Sequence, residues 1–294
     1  GANAGVMALR RQVQGALNKI CPENVDVIAG QIKEVKLESQ KDLELVVSLV
    51  MKKALAEPHY CETYADLVYK LHGTMPSFPS AEGGKPVTVK SALLNVCQEE
   101  FESMPRTALE IVPENGGDPV DPEEAEFLIS QQKKRMMANM KFIGHLFLRQ
   151  LLSPKIVGAI VLGLVDAEDG SAPVEHIVEC TCELLMAIGY TLESMPAGKN
   201  ILTQVIGCLM DLKNRKNKQG KGVYSKRIQF TIQDMLDARN AGWTKKTFKA
   251  TAKTKEEIKE EQKRDMAMAA KGKVVETAKR VAAGVRPSFL AEKR

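Results

Sequence analysis

Ser225-Lys-Arg-Ile-Gln-Phe-Thr-Ile-Gln-Asp-Met-Leu-Asp-Ala-Arg-Asn-Ala-Gly-Trp243 reads as one amphipathic helix followed by its stop signal. Ile228, Ile232, Met235 and Leu236 stand at i, i+4, i+7 and i+8, so a single apolar stripe runs down one side. Lys226, Arg227, Gln229, Gln233, Asp237 and Arg239 make the rest polar. The pattern breaks at Ala241-Gly242, where glycine favours a helix end. The only tryptophan of the chain follows, with Lys245 and Lys246 behind it. A lone tryptophan beside a helix end is a candidate anchor for a partner.

The same period of 3.6 recurs upstream, and strand alternation does not. Leu43, Val46, Val47 and Val50 form one stripe. Met140, Ile143, Phe147 and Leu151 form a second, and Val174, Ile177, Val178, Thr181, Leu185 and Ile188 a third. Ile201, Val205, Cys208, Leu209 and Leu212 form a fourth. Turns are expected at Cys21-Pro22, Glu57-Pro58, Ser153-Pro154, Ala172-Pro173 and Met195-Pro196, several with proline opening the next helix. Longer, mobile loops are expected at Thr74–Lys85 and Pro105–Pro122, where Pro and Gly cluster. Paired helices spaced at about 40–47 residues suggest an all-α, HEAT- or armadillo-type solenoid of roughly five pairs, with a helical bundle as the alternative. Beyond Trp243 large apolar residues thin out. Lys255, Lys259 and Lys263 interleave with Glu256, Glu257, Glu260 and Glu261, as in a solvated helix that buries little.

Composition agrees with a globular chain. Of 294 residues, 44% are hydrophobic and 5% aromatic, so the core must be aliphatic. No apolar run approaches the ~20 residues of a membrane helix, and no signal peptide is expected from the opening residues. The longest run, Ile156–Val165, reads as a buried helix. Five of the six cysteines lie inside helical patterns, where a reduced thiol acts as a small hydrophobe, and a cytoplasmic setting is expected. The net charge of +5 divides into −8 over residues 1–210 and +13 over 211–294. Such an asymmetry points to a polyanion at the basic end.

No P-loop, dinucleotide fingerprint, zinc-hydrolase histidine pair or nucleophile elbow is present, so neither an enzyme nor a metal or cofactor site is expected. What remains is binding. Lys213, Arg215, Lys216, Lys218, Lys221, Lys226 and Arg227 cross one inter-helix loop and are candidate phosphate contacts for RNA. Few aromatics are interleaved with them, so base stacking is not indicated.

Several stretches together resemble the middle domain of eukaryotic translation initiation factor 4G. They are Leu17-Asn-Lys-Ile-Cys-Pro-Glu-Asn24, Lys53-Ala-Leu-Ala-Glu-Pro58, Leu93-Leu-Asn-Val-Cys-Gln-Glu-Glu-Phe101, Asn139-Met-Lys-Phe-Ile-Gly-His-Leu-Phe147 and Ser225–Trp243 itself. The resemblance implies a HEAT-repeat crescent of five antiparallel helical pairs over residues 5–245, and composition alone marks 246–294 as a charged, helical or flexible tail. It implies a monomeric domain of a larger protein, a scaffold that binds a DEAD-box RNA helicase of the initiation factor 4A class, other initiation factors and RNA. By the same resemblance Leu17, Asn18, Lys19, Ile20, Pro22 and Val25, with Glu57, Pro58 and Tyr60, grip one helicase lobe. Arg239, Asn240 and Trp243 touch the other. Cys21 and Val25 stand where the family usually has Thr and Phe, which shrinks the apolar contact. An adaptor of another mRNA pathway, or a module that mainly binds RNA, remains open at this point.

Overall fold

The structure, a computed structural model, describes residues 2–80, 83, 85–103, 121–166, 172–217 and 219–243. Ten α-helices occupy them: α1 Ala2–Leu17, α2 Val25–Lys33, α3 Gln40–Ala56, α4 Cys61–His72, α5 Val89–Glu102, α6 Pro122–Leu148, α7 Pro154–Val165, α8 Glu175–Ser194, α9 Pro196–Asn214 and α10 Lys226–Asn240. Short 3-10 turns at Pro22–Asn24 and Pro58–Tyr60 lead into α2 and α4. The fold class is all-α with helical repeats, as the periodicity predicts.

Local chemistry sets the helix starts. Ser39 Oγ accepts from Asp42 N at 3.3 Å while Asp42 Oδ2 accepts from Ser39 N at 3.0 Å, which caps α3 reciprocally. Thr88 and Ser91 do the same for α5. Ser153 caps α7 with Pro154 at its first position, and Pro196 opens α9. Pro173 differs from that expectation: α8 begins two residues later, at Glu175.

Chain contacts divide the protein into two compact units, Gly1–Ile232 and Gln233–Arg294, with the division inside α10. Within the first unit the packing runs between successive repeats. Helix α1 packs on α2 and α3, and α3 on α4 and α5. A second file runs α2 on α4, α4 on α6 and α6 on α8, while α7 packs on α8 and α9. Helix α6 packs on α3 and α4 and reaches α5 through Arg135–Glu100 at 2.5 Å. The stripes of α3, α6 and α8 are buried as predicted, Leu43, Val50, Ile143, Phe147, Leu185 and Ile188 among them, except that Val174 precedes α8 and is half-buried. On α9, Ile201 and Cys208 are only half-buried.

Two helices approach closely where glycine leaves room. A Cβ on Gly158 of α7 would lie 2.5 Å from Ile201 Cγ2 of α9. Bends between helices are tied as well. The 74–85 loop, expected to be mobile, is bridged at its flanks by paired backbone bonds between Phe78 and Val87, 3.0 and 2.7 Å. Cys61, Cys97, Cys180 and Cys182 are buried free thiols. Burial pushes Cys61 up to about 11 and the other three up to about 12. Residues 104–120, which hold most of the 105–122 loop, and the tail 246–294 lie outside the described residues.

Candidate protein- and nucleic-acid-binding surfaces

The turn between α1 and α2 is built around Asn24. Its Oδ1 accepts from Cys21 N at 2.8 Å and its Nδ2 donates to Lys19 O at 2.8 Å, so one carboxamide clamps both arms. Leu17, Ile20 and Val25 point into the core and are buried. Asn18, Lys19 and Pro22 face solvent. Of the six residues that the resemblance marks here, three therefore shape the turn from beneath and three are accessible. Val27, which the sequence reading passed over, is 60% exposed one turn into α2. It falls off the stripe of Val25, Ile28 and Ile32, so its exposure is legible in the period. Lys70 of α4 pairs with Asp26 beside it at 2.5 Å.

The turn between α3 and α4 belongs to the next repeat. Glu57 holds it: its Oε1 accepts from Lys53 Nζ at 2.7 Å, and its Oε2 accepts from Tyr64 Oη at 2.6 Å. Burial pushes the Glu57 carboxyl up, but the Lys53 and Tyr64 hydrogen bonds outweigh it and hold the group below its ordinary value. Burial, with the Glu57 carboxylate, drives the Tyr64 phenol well above its usual range. With both oxygens engaged, Glu57 presents Pro58, His59 and Tyr60 rather than offering its own charge. Pro58 is half-buried, and Tyr60 is 39% exposed.

Helix α10 ends in a Schellman-type close. Ala241 N donates to Asp237 O at 2.9 Å, Gly242 N to Arg239 O at 2.9 Å, and Trp243 N to Ala238 O at 2.6 Å. Gly242 has φ +70° and Trp243 φ +64°. The left-handed region is free to glycine but costs an L-residue about 1–2 kcal/mol. Arg239 and Trp243 are half-buried, and Asn240 is exposed.

The basic loop is a pinned hairpin. Val223 N donates to Arg215 O at 3.0 Å, Asn217 N to Lys221 O at 2.8 Å and Gly220 N to Asn217 O at 3.0 Å. Gly220 takes φ +77°, and Asn217 Oδ1 accepts from Gln219 N and Lys221 N at 2.9 and 3.0 Å. Tyr224 Oη donates to Pro173 O at 2.7 Å, and Ser225 N donates to Glu175 Oε1 at 2.7 Å, which moors the hairpin to the start of α8. Arg215, Lys216, Lys221, Lys226 and Arg227 are exposed, and Lys213 is half-buried. Lys218 lies outside the described residues. Arg227 forks onto Glu179 of α8 at 2.8 and 3.0 Å, and that carboxylate raises its pKa further.

Among the described residues no cluster of three or more His, Cys, Asp or Glu is placed to hold a metal, and no helix is long and apolar enough to cross a membrane. Comparison with known proteins locates this architecture. A family profile described as the MIF4G domain matches residues 10–241. The chain is 32% identical over 253 residues to "Eukaryotic translation initiation factor 4G" of Arabidopsis thaliana, covering 85% of this chain and 14% of that protein. It is 30% identical over 244 residues to "Eukaryotic translation initiation factor 4 gamma 2" of Homo sapiens, covering 80% and 26%. The chain thus spans from a seventh to a quarter of these relatives. The crystal structure of the MIF4G domain of Trypanosoma cruzi translation initiation factor EIF4G5 shares the fold. Its TM-score is 0.53 at 19% identity, over 80% of this chain and 97% of that one.

Proposed function

The chain belongs to the MIF4G domain family, and we propose that it is a translation-initiation scaffold that binds and activates a DEAD-box helicase of the initiation factor 4A class. The turn Leu17–Val25, with Glu57–Tyr60 of the next repeat, holds one helicase lobe; Arg239, Asn240 and Trp243 hold the other; and the basic hairpin contacts RNA. Other initiation factors bind the larger cytoplasmic protein of which this is one domain. The domain itself performs no catalysis. The observation that carries this reading is the match of the family across residues 10–241, which includes both turns and all of α10. Two features support it. Asn18, Lys19 and Pro22 stand exposed on a turn clamped by Asn24. Trp243 is held in a left-handed conformation that gives no local advantage to a bulky residue.

Mechanistically, a helicase with two mobile lobes turns over slowly when productive lobe orientations are rare. A scaffold that touches both lobes raises their effective concentration and lowers the ordering cost, while ATP chemistry stays in the helicase.

Calorimetric titration against such a helicase tests the reading, with Lys19→Glu combined with Trp243→Ala as the variant. Ile20 is a poor choice because it is core and its change to a charge would unfold the turn. A folded variant that binds at least about tenfold more weakly, roughly 1.4 kcal/mol, is the expected outcome. Equal binding moves the contact off these residues. Absence of binding by the unaltered chain sinks the scaffold reading.

A further inference from the structure

The helix that the basic hairpin leads into carries an exposed aromatic side chain on its second turn. Phe230 of α10 is 65% exposed, among the most exposed large hydrophobic side chains described. It lies opposite the buried stripe of Ile228 and Ile232, so it contributes nothing to the core. Lys226 stands one turn before it on the same helical face, and its Nζ donates to Gln229 Oε1 at 3.2 Å. Gln229 is the link to the hairpin. Its Nε2 donates to Tyr224 O at 2.9 Å, and a Cβ placed on Gly222 would lie 2.7 Å from that same nitrogen. Gly222 therefore rests on the first turn of α10, and the hairpin that carries Lys216 and Lys221 is held on Gln229, which Lys226 also bonds and which directly precedes Phe230.

We infer that this assembly is a binding site for single-stranded RNA, in which Lys216, Lys221 and Lys226 hold phosphates and Phe230 stacks on an unpaired base. The inference rests on the RNA-contact part of the proposed function and deepens it. Three observations select this occupant. The exposed ring has Lys226 one turn before it, and the loop that carries Lys216 and Lys221 is held on Gln229, the residue before it, which together make the complement of a polyanion that also offers flat apolar faces. The carboxylates that touch the hairpin and α10 from α8, Glu175 and Glu179, are already engaged by Ser225 N and Arg227, which weakens their repulsion of phosphate, while exposed Asp234, one turn after Phe230, bounds the site on its far side. The other aromatic at the loop, Tyr224, is buried with its hydroxyl on Pro173 O, so Phe230 is the ring that remains accessible here. Hairpin amides at Gln219 and Lys221 are taken by Asn217 Oδ1. Recognition then runs through flexible ammonium groups and a stacking face, both tolerant of sequence. A base inside a duplex hides its face, so the site discriminates strandedness rather than sequence.

The test is fluorescence anisotropy at low salt with the full 294-residue chain. The probes are a labelled oligoadenylate RNA of about 12 nucleotides, a typical span for such sites, and a blunt RNA duplex of equal length. The variants are Phe230→Ala, Phe230→Trp, and Lys216→Glu with Lys221→Glu. Circular dichroism confirms that each is folded, as expected for exposed positions. Phe230→Ala is expected to weaken the single strand about tenfold, within the range for loss of one stacked base. It should leave duplex binding unchanged, and Phe230→Trp should retain the single strand. The double charge reversal should weaken both probes. If Phe230→Ala matches the unaltered chain on both probes, or weakens both equally, the stacking site is overturned while RNA contact stands. If the unaltered chain binds neither probe, RNA contact itself fails and the stacking site with it.

Discussion

Tyr64 and Glu57 show how a single hydrogen bond fixes a surface turn. The phenol donates to a carboxylate that also receives Lys53, and the three side chains keep Pro58–Tyr60 in a 3-10 turn. Tyr64→Phe removes the donor and keeps the packing. We expect a loss of about 1.5 kcal/mol by urea unfolding, toward the low end for bonds to charged groups because Glu57 is partly hydrated. The pH dependence has a defined sign. Glu57 is held below its ordinary value of 4.5 in the fold, so its contribution is complete above that value and fades as pH falls through the lowered one. The gap between Tyr64→Phe and the unaltered chain should therefore be widest at neutral pH and narrow on acidification. A gap independent of pH would mean that Glu57 does not feel the phenol. None of this was readable beforehand. The sequence places Glu57, Pro58 and Tyr60 together but carries no sign that the carboxylate faces Tyr64 rather than a partner.

At the scale of helices, the packing of α7 on α9 depends on Gly158. Gly158→Val would drive a branched side chain into Ile201, and overpacking of this kind costs typically about 1–3 kcal/mol. A double change, Gly158→Ala with Ile201→Val, should recover part of that loss. Thermal unfolding that shows no deficit for Gly158→Val would mean that the two helices move apart freely. Helices were the most legible elements, because an apolar stripe at i, i+3, i+4 and i+7 leaves one buried face. The same rule identifies misfits: Val27 and Phe230 fall out of phase with their stripes, and both are exposed. Spacing along the chain carries no sign that the hairpin folds back onto Gln229, the residue before Phe230. Leu17, Ile20 and Val25 are marked for contact by the family resemblance and not by their apolar character, which at a helix end points to burial. They are buried in the fold, and Asn18, Lys19 and Pro22 are the exposed residues of that turn.

Across residues 1–232, opposite charges alternate between neighbouring helices of one file. Asp26 of α2 meets Lys70 of α4; Glu62 and Asp66 of α4 meet Arg149 after α6; Glu179 of α8 meets Arg227 of α10. These pairs differ in weight. Arg149 has a side chain only 17% exposed, bonds Asp66 at 2.7 Å and donates to His145 O at 3.1 Å. Arg149→Ala should cost about 2 kcal/mol, because half-buried carboxylate and carbonyl acceptors lose their donor. Arg227→Ala should cost under about 1 kcal/mol and lose even that at high salt. Chemical denaturation at two ionic strengths checks both, and equal losses would contradict the difference in burial. Such long-range pairing is invisible in sequence, where the partners of Arg149 stand 83 and 87 positions away. The buried thiols carry a different consequence. Only a thiolate is alkylated, and groups raised to about 11 or 12 are almost wholly protonated at neutral pH. Iodoacetamide therefore reacts with Cys61, Cys97, Cys180 and Cys182 only after their helices open. Because these sit in α4, α5 and α8, the order of labelling under native conditions becomes a clock for which repeats breathe first.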